Sequence, residues 1–137
     1  MGDPTVRERG LLDTSVIIDL DRLSADVLPN EVAISAVTLA ELAAGPYATS
    51  DPDEQGRRQD RVQRAEAAFE PLPFGTEAAR AYGRVFAAIS ASERKPRGAR
   101  AVDLLIAATA VAEGIPIYTR NPQDFRYLER LVEVVSI

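Results

Sequence analysis

Four carboxylates, Asp13, Glu41, Asp103 and Asp124, lie far apart in the chain, yet each sits in or beside an apolar stretch. A carboxylate in apolar surroundings is costly unless it is paired, hydrogen-bonded or bound to a cation. Few basic side chains flank these four positions. One shared divalent ion would neutralise them together, and Mg²⁺ or Mn²⁺ is the natural choice for carboxylate oxygens.

The composition narrows the chemistry further. The 137 residues contain neither Cys nor His. That excludes a thiol nucleophile, a Ser-His-Asp triad, a disulfide and an ordinary zinc site, and leaves carboxylates, hydroxyls and Arg or Lys. The net charge of -5 opposes non-specific wrapping of nucleic acid, although two local clusters are basic: Arg57, Arg58, Arg61 and Arg64, and Arg94, Lys95, Arg97 and Arg100. Solvated helix faces and loop charges would explain each cluster equally well. With 46% hydrophobic residues the chain suits one domain with its own core. We expect a tail over 1–10 and a single domain over 11–137. No apolar run of about eighteen residues is present and the polar start lacks the apolar centre of a signal peptide, so the expected compartment is the cytoplasm.

The elements that must position the acids follow from periodicity and stop signals. Leu11 and Leu12 read as a short buried strand that turns at Asp13-Thr14-Ser15 into a helix whose apolar face runs to Leu23. Val32 to Ile34 is a second strand, and Thr38 to Ala44 a helix stopped by Gly45-Pro46. A charged, then Ala-rich helix falls between Pro52 and Pro71. Pro71 to Phe74 is an edge strand at best, because proline cannot donate to a ladder. Thr76 is placed to cap a helix through Ala79, Tyr82, Val85, Phe86 and Ile89. A basic loop, 92–100, precedes a buried helix from Ala101 to Ala112, whose sole charge is Asp103 and which stops at Gly114. Strands at Ile115 to Thr119 and Leu131 to Val135 complete an α/β order built on a mostly parallel sheet.

Ligand sites in such sheets form at the carboxyl ends of the strands. Asp13 and Asp124 follow strands, and Glu41 and Asp103 are expected in the first turns of their helices. Structural roles compete for each: Thr38-x-x-Glu41 matches a capping box, Asn121-Pro122-x-Asp124 an N-cap with proline at the first helical position, and Asp13 or Ser15 could cap the first helix. Asp103 is hardest to explain this way, with Arg100 one turn earlier as the competing salt-bridge partner.

Leu11-Leu12-Asp13-Thr14-Ser15, Thr38-Leu39-Ala40-Glu41-Leu42, Val102-Asp103-Leu104-Leu105-Ile106-Ala107-Ala108-Thr109-Ala110 and Tyr118-Thr119-Arg120-Asn121-Pro122-Gln123-Asp124-Phe125, in that order, resemble the motif set of PIN-domain ribonucleases. Within that family the chain is most similar to the VapC toxins of toxin-antitoxin pairs. The resemblance runs from about Leu11 to the C-terminus. It implies a three-layer α/β/α fold, a Mg²⁺- or Mn²⁺-dependent endoribonuclease, a homodimer, and neutralisation by a VapB-type antitoxin in a heterotetramer or larger assembly. Asp13, Glu41 and Asp103 match the family's acids; the fourth falls at Asp124 or at Asn121. Thr14, Ser15 and Thr119 match hydroxyl positions beside the metal.

The chemistry agrees with that likeness, since bound divalent ions can lower the pKa of water and neutralise a phosphodiester without any His. Arg94, Lys95, Arg97 and Arg100, or the Arg57 to Arg64 segment, would hold RNA phosphates outside the acidic centre. An antitoxin Arg could take the place of the ion, and Ile17, Ile18, Leu42 and Ala43 could line a groove for a partner helix. A haloacid-dehalogenase-type phosphatase fits less well, because Ser15 stands where it needs a second Asp and Lys95 is the only lysine. A phosphoacceptor receiver lacks the same lysine. A catalytically inactive PIN-like module and a PIN nuclease of RNA processing are the remaining alternatives.

Overall fold

The structure is a computed structural model and describes residues 9–92 and 99–137. Strands β1 (Arg9–Leu12), β2 (Glu31–Ala33), β3 (Ile117–Thr119) and β4 (Val134–Ser136) form one parallel sheet in the order β2-β1-β3-β4. Helices α1 (Thr14–Ile18), α2 (Ala36–Ala44), α3 (Pro52–Ala68), α4 (Thr76–Ala91) and α5 (Ala99–Glu113) surround it. Side chains alternate across a strand. Leu11 and Ile117 therefore point to the face covered by α4 and α5, while Leu12 and Tyr118 point to the face covered by α1, α2 and α3. The result is the expected α/β/α sandwich with a core on each side of the sheet. Among the described residues no helix is long and apolar enough to cross a membrane.

Gly10 permits the close packing at the sheet's centre. A Cβ there would lie 2.7 Å from Cδ1 of the buried Tyr118 ring and 3.0 Å from Pro29 Cγ. Gly114 ends α5 at φ 68°. Its N–H donates to Val111 O at 3.2 Å and Ile115 N–H to Ala110 O at 3.2 Å, the paired bonds of a Schellman stop.

Several expected boundaries move. Strand β1 begins at Arg9, and α1 stops at Asp19, whose φ of -100° and ψ of 11° break the helix. Leu20 and Leu23 reach the core from irregular chain and a 3₁₀ turn over Leu20–Arg22. The last two strands are shorter than the apolar runs that suggested them. Thr76 is not a cap: Gly75 holds that position, and no side chain caps α4. Leu72 makes a single parallel bridge, donating to Ile34 O at 2.9 Å and accepting from Ala36 N at 2.8 Å. Pro71 and Pro73 on either side have no N–H to extend it.

The two helices that carry Glu41 and Asp103 also begin earlier than expected. Ser35 caps α2, its Oγ accepting Thr38 N–H at 3.0 Å, so the Thr38-x-x-Glu41 capping box does not form and Glu41 lies in the second turn. Asp103 is the fifth residue of α5 as described, and neither helix has an acid in its first turn. Capping therefore accounts for neither side chain.

Candidate metal centre

In this strand order β1 connects to β2 on one side and lies beside β3 on the other, which opens a crevice at the carboxyl ends of β1 and β3. Asp13 and Thr119 stand on its two sides. Asp13 N–H donates to Tyr118 O at 3.1 Å, which carries the ladder to the lip of the crevice.

Asp13 is 4% exposed and its carboxylate is clamped by three donors. Oδ1 accepts Ser15 Oγ at 2.6 Å and Val16 N–H at 3.2 Å, and Oδ2 accepts Thr119 Oγ1 at 2.6 Å. Ser15 Oγ in turn accepts Arg120 N–H at 3.1 Å, and Thr119 Oγ1 accepts Asn121 N–H at 2.9 Å. Each hydroxyl thus spends its proton on Asp13 and its lone pair on the turn after β3. Burial pushes the Asp13 carboxyl above its ordinary value, against the three hydrogen bonds, and the Asp124 charge pushes it the same way. Asp13 also caps α1 through Val16 N–H, so its structural and site roles coincide.

Glu41 Oε1 accepts Thr14 Oγ1 at 2.5 Å. Asp103 has no hydrogen bond or ion pair among the described residues. Its carboxyl is pushed up to about 7, first by burial and then by the charges of Asp124, Glu41 and Asp13. Arg100 opposes the rise, but no ion pair joins it to Asp103 among the described residues, so the competing salt-bridge explanation of Asp103 does not hold. The Nε and Nη2 of Arg100 are buried without a hydrogen-bond partner among the described residues. Arg94, Lys95 and Arg97 lie outside the described residues. Asp124 sits in a 3₁₀ turn, Pro122–Phe125, that begins at Asn121. The Asn121 side chain makes no capping bond; its backbone N–H holds Thr119 instead. Of the pair Asp124 and Asn121, it is Asp124 whose charge reaches both Asp13 and Asp103.

The fold therefore gathers all four predicted acids into one electrostatic cluster. Its donors are hard carboxylate oxygens, with no His or Cys in the chain, which fits Mg²⁺ or Mn²⁺. Among the described residues no three of the acids converge closely enough to hold an ion by themselves. Part of a coordination shell would fall to water, as Mg²⁺ ordinarily allows. Sequence reasoning missed Ser35 and Thr38, both buried and both linked through Thr14 to Glu41. Their spacing, Ser35-x-x-Thr38-x-x-Glu41, was the available signal.

A groove of about 360 Å³ runs between α1 and α3. Ile17, Ile18, Leu20, Ala65 and Phe69 give it an apolar floor, and Arg57, Arg61 and Arg64 stand at its rim with Asp21 and Asp60. Of the residues expected in a partner groove, Ile17 and Ile18 are there, whereas Leu42 is core and Ala43 does not line it. Three of the four arginines from Arg57 to Arg64 have a local acidic partner: Glu54 pairs with Arg57 at 2.9 Å and Arg58 at 3.2 Å, and Asp60 with Arg64 at 3.0 Å.

The PIN domain family model matches residues 10–131. Ribonuclease VapC of Rickettsia bellii is 34% identical over 131 residues, 93% of this chain and 95% of that protein. Ribonuclease VapC5 of Mycobacterium tuberculosis is 34% identical over 136 residues, 97% of each chain. Among solved structures, VapBC-5 of Mycobacterium tuberculosis, a member of the VapBC family of toxin-antitoxin systems, superposes with a TM-score of 0.83 at 34% identity, covering 95% of this chain and 99% of that one.

Proposed function

The chain belongs to the PIN-domain family, and from that premise we propose that it is a Mg²⁺- or Mn²⁺-dependent endoribonuclease toxin of the VapC type, held in check by a VapB-type antitoxin. The observation that carries the reading is Asp103, whose carboxyl is held up to about 7 by burial and by three acids brought from other elements. A cluster so arranged resists its own ionisation and gains most from a divalent cation.

Asp13 and Asp103 would hold the ion, with Glu41 and Asp124 binding it directly or through water. When bound, the ion supplies charge neutralisation at the phosphodiester and a lowered pKa for the attacking water. Asp13 is pre-oriented by Ser15, Thr119 and Val16 N–H, so little reorganisation is needed. Glu41 keeps Oε2 without a hydrogen-bond partner among the described residues, which suits it to orient the attacking water. Arg100, whose charge acts on Asp103, would take a phosphate oxygen of the RNA. Arg94, Lys95 and Arg97 would extend that contact.

The groove between α1 and α3 supports the partner reading, since its apolar floor and charged rim suit an amphipathic antitoxin helix. VapBC-5 of Mycobacterium tuberculosis, at 34% identity, is a member of the VapBC family of toxin-antitoxin systems. A homodimer, joined to antitoxin as a heterotetramer or larger, completes the proposal. The test is to incubate antitoxin-free protein with structured RNAs, tRNAs included, with Mg²⁺ or Mn²⁺, then with chelator, beside Asp13→Asn. Cleavage is expected only with the ion and intact Asp13; cleavage by the chelated or substituted protein would overturn the mechanism.

A further inference from the structure

Ser35 and Thr38 are wholly buried, and the hydrogen bonds around them lead toward Glu41. Ser35 Oγ accepts Thr38 N–H at 3.0 Å and lies 3.3 Å from Thr38 Oγ1. Thr38 Oγ1 lies 3.1 Å from Thr14 Oγ1, which lies 2.5 Å from Glu41 Oε1. A hydroxyl has one proton to donate and an ionised carboxylate has none. The proton between Thr14 and Glu41 therefore belongs to Thr14. With that proton spent, the Thr14 to Thr38 contact needs the proton of Thr38, and the Thr38 to Ser35 contact needs that of Ser35. This is the one assignment that uses every contact.

We propose that Ser35 and Thr38 are positioning residues for Glu41, forming with half-buried Thr14 a series of hydroxyl donors that starts in the interior, points at one carboxylate oxygen and leaves the other free for the reaction. The proposal rests on the reading of Glu41 as part of the catalytic set. Ser35, Thr38 and Glu41 are spaced three residues apart from the cap of α2 onward, so they lie near one another on the helix surface. The cap that starts the helix is thus also the first member of the series. Hydrogen bonds in such a chain polarise one another, and the buried Ser35 to Thr38 end, where the local dielectric is low, supports the last bond, the one that fixes Glu41. Thr38 has no charge and no path to substrate, so its influence is exerted through Thr14.

The decisive comparison is Thr38→Val, which keeps the shape and removes the hydroxyl, against Thr38→Ser, which keeps the hydroxyl and removes the methyl. Thr38→Val should weaken Mn²⁺ binding, measured by calorimetry, by about tenfold and lower kcat for RNA cleavage by a similar factor with KM unchanged. Thr38→Ser should stay within about twofold of the parent on both measures. In the metal-free protein the Thr14 hydroxyl proton should exchange slowly enough to give its own proton NMR signal, lost in Thr38→Val and kept in Thr38→Ser. A Thr38→Val protein with parental Mn²⁺ affinity and signal overturns the proposal, as does a Thr38→Ser protein impaired as deeply as Thr38→Val. Should Thr38→Val fail to fold, the absence of a slowly exchanging Thr14 hydroxyl in the parent has the same force. Glu41→Gln, assayed alongside, separates the two questions: normal RNA cleavage by that variant removes the functional reading, whereas the NMR comparison needs neither RNA nor metal.

Discussion

Raising the pH should destabilise the metal-free protein, and Asp103→Asn should relieve the effect. The Asp103 carboxyl is pushed from 3.8 to about 7 by burial and the charges of Asp124, Glu41 and Asp13. Its folded value exceeds its unfolded one, so the folded state binds the extra proton between them. The stability tied to the neutral acid is therefore complete below 3.8 and gone above about 7. At about 1.4 kcal/mol for each pH unit, the rise sets a ceiling of about 4 kcal/mol. Asp103 is only partly buried, and solvent screening reduces that ceiling to about 2 kcal/mol. Asp13, raised chiefly by its burial, acts with the same sign. Urea unfolding in chelator at low salt, from pH 5 to pH 8, should show the parent losing about 1 kcal/mol more than Asp103→Asn, the share of the ceiling that falls within that range. At pH 8 the Asn variant should be the more stable of the two. Adding Mg²⁺ or Mn²⁺ should flatten the parent's slope and leave the variant's nearly unchanged. An Asp103→Asn protein less stable than the parent at pH 8, or equal slopes in chelator, would refute the electrostatic account of the cluster.

Other outcomes follow from contacts in the structure. Thr119→Val removes a donor to Asp13 and the acceptor of Asn121 N–H, and should cost about 2 kcal/mol in chemical unfolding while slowing RNA cleavage. Unchanged cleavage would show that the clamp on Asp13 is not needed for chemistry. Gly10→Ala drives a Cβ against the buried Tyr118 ring and Pro29, at a cost of about 1–3 kcal/mol in the urea midpoint. Ile18→Asp places a charge in the groove at a side chain that is 48% exposed, so stability should change by no more than about 0.5 kcal/mol. Affinity for a co-expressed antitoxin, read by calorimetry, should nonetheless fall; unaltered binding would move the partner to another face.

Much of this protein was legible in its residues. Alternating and helical apolar spacing indicated the strands and the buried α5, and the lack of His and Cys removed whole classes of chemistry before any fold was known. The order of the acidic motifs pointed to one site. What linear pattern could not decide was whether Glu41 and Asp103 were ordinary helix-start acids, because a capping box and a metal-site glutamate look alike in sequence. The structure separates them by placing Ser35 at the cap and both acids in second turns. Nor could pattern show that Ser15 and Thr119, 104 positions apart, would clamp one carboxylate, which requires β1 and β3 to lie side by side. Helix and strand formation depends largely on neighbours along the chain, and so is written there. The raised Asp103 carboxyl is the joint effect of burial and three charges from distant segments, and exists only once the sheet order has brought them together.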